Sequence, residues 1–192
     1  MHASVKRHTG FSLTELVVAL AVAMILMAVG LPAFLRAYHS YQLSNAATQV
    51  ADILRLARYE AIRLNTPVQC LIRASGTNTS IWVDSIPNTN PDPTEKICIL
   101  GPSGNLVGSS VPNASALNSQ AVNTFAVNAP SPTSSAIKFD ARGALVPATS
   151  VNVFYLASPN APEAGYRAVF LAPAGSIQIW TADAAGNWQH LR

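Results

Sequence analysis

The apolar positions along this chain fall into three regimes. From residue 16 to 35, twenty consecutive residues carry no charge. At 1.5 Å per residue such a run makes a helix about 30 Å long, the thickness of a bilayer's hydrocarbon core. Beyond Arg36 the apolar residues become periodic. Leu43, Ala46, Ala47, Val50, Ile53, Leu54, Ala57, Ala61 and Leu64 recur at three- and four-residue steps. That spacing marks one face of an amphipathic helix. Gln42, Asn45, Gln49, Asp52, Arg55, Arg58 and Arg63 occupy the remaining sides. Asn65-Thr66-Pro67 ends the helix, because the residue before a proline leaves the helical region. One helix from Phe11 to Leu64 would be roughly 80 Å long. Pro32 lies inside it and removes one backbone donor, which predicts a kink or a locally melted turn.

The third regime starts at Pro67, where helical periodicity gives way to short β-prone runs between Gly, Pro, Asn and Ser clusters. Strands are predicted over 68–74, 80–85, 96–100, 136–140, 151–156, 166–171, 176–181 and 188–191. Ile177-Gln178-Ile179-Trp180 and Val151-Asn152-Val153-Phe154 alternate as half-buried antiparallel strands do. A helix followed by strands makes the fold class α+β, with an antiparallel sheet against the amphipathic half of the helix. Two stretches read as long loops. Residues 86–95 carry three prolines, and residues 101–135 are rich in Ser, Asn, Ala and Pro. The second is too long for an inert connection in a compact head, which predicts a contact surface or a mobile segment.

Composition adds exclusions. Twelve Lys and Arg stand against nine Asp and Glu, and without Lys6 and Arg7 the balance is ten against nine. Net charge therefore implies no general attraction to nucleic acid. The two cysteines, Cys70 and Cys98, are too few for a disulfide-built scaffold, and no C-x-x-C pair suggests zinc. Either they form a disulfide in an oxidising compartment, or they serve as small buried apolar residues. The sequence holds no G-x-S-x-G, Walker loop or H-E-x-x-H, and its histidines suggest no Ser-His-Asp arrangement. Neither an enzyme nor a cofactor is expected. Asp84, Asn88, Asn90, Asp92 and Glu95 offer the oxygen ligands that calcium prefers. The expected reading is nevertheless a solvated acidic loop with no metal.

Glu15, at the edge of the apolar run, needs its own explanation. The basic residues before the run would stay cytoplasmic, placing everything after residue 36 outside. An ordinary secretory signal has a core of roughly 7–15 residues and a small-x-small cleavage site. Here only Ala28-Val29-Gly30 would serve, and Pro32 follows almost at once. Gly10-Phe11-Ser12-Leu13-Thr14-Glu15-Leu16 instead resembles the type III signal of type IV pilins and type II secretion pseudopilins. The resemblance implies that a prepilin peptidase cuts after Gly10 and methylates the new N-terminal amine of Phe11. It implies a pilin-like fold with a bend at Pro32. It also gives the acid a role: a lone carboxylate in a membrane costs roughly 2.5–3.5 kcal/mol on insertion scales. The implied partner is the Phe11 amine of a neighbouring subunit, a pairing that would fix the axial register between helices. The alternative keeps Glu15 at the headgroup boundary with its charge in water.

A second resemblance lies at the helix end. Within residues 51–65, Arg58, Glu60, Ala61, Ile62 and Asn65 match the A-R-x-E-A-I-x-x-N pattern of the GspH/FimT subgroup. Arg55, Arg58 and Arg63 are expected on a solvated face. FimT-like members bind DNA through a Gly-Arg-x-Arg segment near the C-terminus. The equivalent stretch here, Ala174-Gly175-Ser176-Ile177-Gln178-Ile179, keeps the glycine and lacks both arginines. Phosphate contacts need cations, so nucleic acid is not an expected partner. Arg142, Arg167 and Arg192 would form a substitute patch only if folding gathers them.

The resemblance thus implies a minor pseudopilin with four parts: a leader at 1–10, a transmembrane and assembly helix at 11–36, an amphipathic helix at 37–64 and a periplasmic β-rich head at 65–192. Such a chain spans the bacterial inner membrane once and serves as a structural subunit of a type II secretion pseudopilus or a type IV pilus. The alternatives are a FimT-like DNA- or ligand-binding minor pilin, and a tethered domain that never assembles. The implied partners are other pilin subunits through the helix, the prepilin peptidase and the inner membrane.

Overall fold

The computed structural model describes residues 12–86, 88, 90–121 and 125–191. The chain divides into two compact units, Met1–Arg36 and Ala37–Arg192. A single helix, α1 (Leu13–Leu64), contributes to both. Helical structure passes through Pro32 without interruption, so the melted turn anticipated there does not form. Arg36 Nε donates to the carbonyl of Pro32 at 3.3 Å.

The far end of α1 closes more specifically than a following proline requires. Asn65 takes a left-handed φ of 51°. Its N–H donates to Ile62 O, and the N–H of Thr66 donates to Ala61 O, both at 3.3 Å. This pair of bonds is the Schellman cap, which satisfies two carbonyls the helix leaves open. Asparagine is the non-glycine residue that best tolerates this conformation.

The head contains two sheets. The first has the order β3–β2–β1–β6–β7, with β1 Val68–Ser75, β2 Asn78–Asp84, β3 Ile97–Leu100, β6 Ser134–Phe139 and β7 Leu145–Val146. The second has the order β11–β10–β9–β8–β4, with β4 Asn105–Val107, β8 Ser150–Ala157, β9 Tyr166–Leu171, β10 Ile177–Ala182 and β11 Trp188–His190. A short β5, Ala126–Asn128, pairs in parallel with the first residues of β8, while β4 pairs with its last. All eight predicted strands are present. The fold is α+β, a long N-terminal helix followed by a largely antiparallel β head.

Alternation decides what each sheet buries. In the first sheet Cys70, Ile72, Ile81, Val83, Ile137 and Phe139 pack in one cluster with Leu43, Val50, Leu54 and Ala61 of α1. Phe154, Leu156, Val169 and Leu171 of the second sheet join the same cluster. The head portion of α1 is therefore the common floor of both sheets. Truncating a fully buried leucine such as Leu54 to alanine would cost about 2–5 kcal/mol.

The second sheet is buried on its other face too, which corrects two expectations. Val151, Val153, Tyr155, Ala168, Phe170 and Trp188 form a separate cluster with Val111 and Leu117. These last two come from the stretch expected to be a loop. That stretch holds β4, β5 and a helix α2, Ala114–Ala121, whose Leu117 is fully buried. Asn118 Oδ1 accepts from the hydroxyl of Tyr155, and Pro112 O accepts from the indole of Trp188. β8 is consequently covered on both sides rather than half-buried. Its one inward polar residue, Asn152, accepts from Asn128 Nδ2 of β5 at 2.7 Å.

The cysteines do not meet. Cys70 lies on β1 opposite Val83, and Cys98 lies on β3 opposite Ile81, so β2 runs between them. Two inter-strand spacings amount to about 10 Å, beyond the roughly 4.4–6.8 Å that a disulfide tolerates between Cα atoms. Both thiols are free. Of the two alternatives for Cys70 and Cys98, this corrects the possible disulfide.

Candidate assembly interface

Unit Met1–Arg36 offers an uncovered apolar rod. Every large apolar side chain from Leu13 to Leu35 is exposed. Among the described residues α1 is the one helix long and apolar enough to cross a membrane, by length and composition. Glu15 stands exposed in its first turn, where an acid also complements the positive end of the helix dipole. Just before it, Ser12 Oγ and Thr14 Oγ1 are 2.8 Å apart, and Ser12 O accepts from the N–H of Leu16. Gly10 and Phe11, the expected cleavage and methylation residues, lie outside the described residues.

In the head, the arginines expected on a solvated face divide. Arg55 pairs with Asp52 at 2.7 Å and Arg63 with Glu60 at 2.6 Å, both as exposed i,i+3 pairs. Such pairs contribute a few tenths of a kcal/mol. Arg58 is different. Its Nη1 donates to the carbonyl of Gly175 at 2.9 Å, and its Nε is buried without a partner. Gly175 lies in the β9–β10 turn and Gly143 in the β6–β7 turn. A Cβ added at Gly175 would stand 2.5 Å from Gly143 O and 2.8 Å from Arg58 Nε. The helix and the two sheets are thus gathered around one guanidinium. Leu145 N–H donating to Pro173 O at 2.9 Å ties the same two turns together.

Arg167, expected as part of a substitute cationic patch, is buried at 6% exposure. It donates to Ser44 Oγ, Ser40 Oγ, Ser40 O and its neighbour's carbonyl, Tyr166 O. Burial lowers its pKa. Its side chain fastens β9 to α1 and is not presented to solvent. Arg142 sits in the exposed turn after β6, and Arg192 lies outside the described residues. The burial of Arg167 takes it out of the patch expected with Arg142, which corrects that part of the reading.

The oxygen-rich loop after β2 holds itself. Glu95 Oε1 accepts from Ser85 N–H and Glu95 Oε2 from Asp92 N–H, while Asp92 Oδ2 accepts from Asn88 Nδ2. Asp84 turns into the protein at 3% exposure. Among the described residues no group of three or more His, Cys, Asp and Glu converges on a metal position.

Burial, with Cys98 nearby adding to it, pushes the Cys70 thiol up to about 12. Burial lifts Cys98 to about 11, and its Sγ donates to Gln49 Oε1 at 3.4 Å. Both are neutral, poorly nucleophilic thiols at ordinary pH.

Sequence reasoning missed the roles of Arg58 and Arg167. The available signal for Arg58 was the pair of turn glycines, Gly143 and Gly175, each at positive φ beside it.

The chain is similar to known proteins along most of its length. The prokaryotic N-terminal methylation motif matches residues 5–31. The crystal structure of the type IV minor pilin FimU of Pseudomonas aeruginosa, in space group P65, is 19% identical at a TM-score of 0.45, covering 78% of this chain and 98% of that one. A second crystal form of FimU, in space group P21, gives 17% identity and a TM-score of 0.43, with coverage of 79% and 94%. No curated protein matches the chain. The model of the type II transport protein GspH matches residues 46–175, more than half of the chain, and the protein belongs to that family.

Proposed function

We propose that this protein is a minor pseudopilin, a structural subunit of a type II secretion pseudopilus or type IV pilus that assembles through its N-terminal helix. The observation carrying this reading is the rod from Leu13 to Leu35, apolar on all sides, uncovered, and bearing a single acid at Glu15. Lipid tails can cover the apolar surface, but hydrocarbon supplies no charge partner for the acid. A neighbouring subunit's Phe11 amine can, once the peptidase has cut after Gly10. Membership of the GspH family and the methylation motif support the same reading. The leader, the single pass through the inner membrane, the bend at Pro32 and the periplasmic placement of the head belong to this proposal.

Glu15→Ala tests it. The variant inserts in the membrane as well as the parent, because it removes a charge from an apolar helix. Its incorporation into filaments is lost, because the neighbouring amine has no counter-charge. Normal incorporation of the variant would overturn the assembly role of the acid.

A further inference from the structure

We infer that the open edge of β3 takes up a short extended strand of a partner protein, apolar at its centre and carrying an acid where it passes Lys96. β3 is a free edge of the first sheet and, at four residues, the longest edge strand described. The N–H of Val83 donates to Lys96 O, so this pair bonds across the ladder, and so does every second pair after it. Cys98 opposite Ile81 is the next such pair. Ile97 and Ile99 fall between the bonded pairs, and their N–H and C=O groups point away from β2 to the open side. Among the described residues none of these four groups has a partner.

The side chains along that edge are apolar on both faces. Ile97 and Ile99, on the face away from α1, are 46% and 62% exposed. Cys98 points the other way, and its Sγ meets Gln49 of α1. Between β3 and α1 lies a groove of about 380 Å³, lined by Ile53, Leu56 and Cys98 together with Gln49, Asp52 and Lys96. The groove is the place that one more strand would occupy. Its backbone would bond to Ile97 and Ile99, and its inward side chain opposite Cys98 would lie on Ile53 and Leu56. A long apolar edge left bare invites exactly this kind of pairing.

Charge indicates what the strand carries. Every pair in the first sheet is antiparallel, and an added antiparallel strand brings one residue opposite Lys96, on the helix side. Lys96 is exposed and has no described carboxylate within 4 Å. Its acidic neighbours are engaged elsewhere: Asp52 by Arg55, and Glu95 by the N–H groups of Ser85 and Asp92. An acid on the incoming strand pairs with Lys96 and fixes the register that its apolar centre leaves open. A second copy of this chain does not fit. Two β3 edges would pair about a two-fold axis normal to the sheet, which reverses the helix packed beneath it. Subunits anchored in one membrane carry their helices in parallel. That exclusion rests on the membrane-anchored reading proposed above, whereas the edge and its charge do not.

The test follows the fluorescence anisotropy of the peptide fluorescein-Gly-Thr-Val-Ile-Val-Asp-amide, titrated with the full chain in dodecyl maltoside micelles. In antiparallel register its two valines bond to Ile97 and Ile99, and its aspartate lies opposite Lys96. Anisotropy should rise to saturation, above the level that empty micelles give. N-methylation of both valines should abolish binding, and lysine in place of the aspartate should weaken it about two- to tenfold. Lys96→Glu, at an exposed position, should invert the preference and bind the lysine peptide more tightly. The inference is overturned by a rise no larger than empty micelles give, by equal binding of the N-methylated peptide, or by an unchanged preference in Lys96→Glu. A concentration-dependent dimer of the peptide-free chain that the peptide dissociates would assign the edge to a second copy and overturns it equally. The titration needs neither membrane insertion nor filament assembly, so its failure is distinct from that of the Glu15→Ala test.

Discussion

Replacing Gly175 with alanine tests the packing around Arg58, and a second glycine provides the control. Gly175 has φ of +78° and Gly76, in the β1–β2 turn, has φ of +61°. Alanine in either place meets the left-handed penalty of about 1–2 kcal/mol. At Gly76 nothing else follows, because no atom lies within 4 Å of the new Cβ. At Gly175 the Cβ would stand 2.5 Å from Gly143 O and 2.8 Å from Arg58 Nε. The first is a backbone atom in a turn tied to the neighbouring sheet, so it cannot simply swing aside. Overpacking of that kind adds about 1–3 kcal/mol. The expected totals are about 1–2 kcal/mol for Gly76→Ala and about 2–5 kcal/mol for Gly175→Ala. Against a whole stability of about 5–15 kcal/mol, the second is a large fraction. Urea unfolding of the unit 37–192, which contains both core clusters, followed by tryptophan fluorescence, measures both variants. Equal losses would refute the claim that the two turns close tightly on Arg58.

Two further outcomes follow from buried groups. Arg167→Ala should cost about 2–4 kcal/mol through lost hydrogen bonds to Ser40 and Ser44 and lost stem packing. Arg167→Met should cost less, since it keeps the stem and relieves a buried charge that no described carboxylate pairs within 4 Å; the same unfolding assay compares them, and a methionine variant as unstable as the alanine variant contradicts this. Cys70 keeps its proton in the folded state up to about 12, whereas an unfolded thiol releases it near 9. Its contribution is therefore complete below pH 9 and is lost as the pH climbs towards 12. Cys70→Val should flatten the alkaline part of the stability curve, and identical alkaline slopes in the two proteins would contradict the burial of this thiol.

Much of the head was legible because burial on one side leaves a period-two trace. Ile177-Gln178-Ile179-Trp180 and the β1 residues show it, and their strands lie where alternation put them. The helix end was legible from Pro67, although the cap itself is Asn65. The covered outer face of the second sheet was not read. α2 is Ala-Ser-Ala-Leu-Asn-Ser-Gln-Ala, with Leu117 as its one buried residue, too little for a helical period to register. The clue lay in its partner. Val153-Phe154-Tyr155-Leu156 is a continuous apolar run, the mark of a strand covered on both faces. Arg58 and Arg167 defeated sequence reasoning for another reason. A long cationic side chain next to an apolar helix or strand position can snorkel outward or turn inward, and only the turns and serines that meet it decide which.

The central claim is that the apolar rod begins at a freed, methylated Phe11 whose amine pairs with a neighbouring Glu15. The intact mass of the mature protein, purified from membranes of its native host, tests it most directly. The mass should correspond to a chain starting at Phe11 and carrying one additional methyl group. A chain that still begins with its leader, or one cut downstream of Pro32 and recovered free of the membrane, would contradict the account.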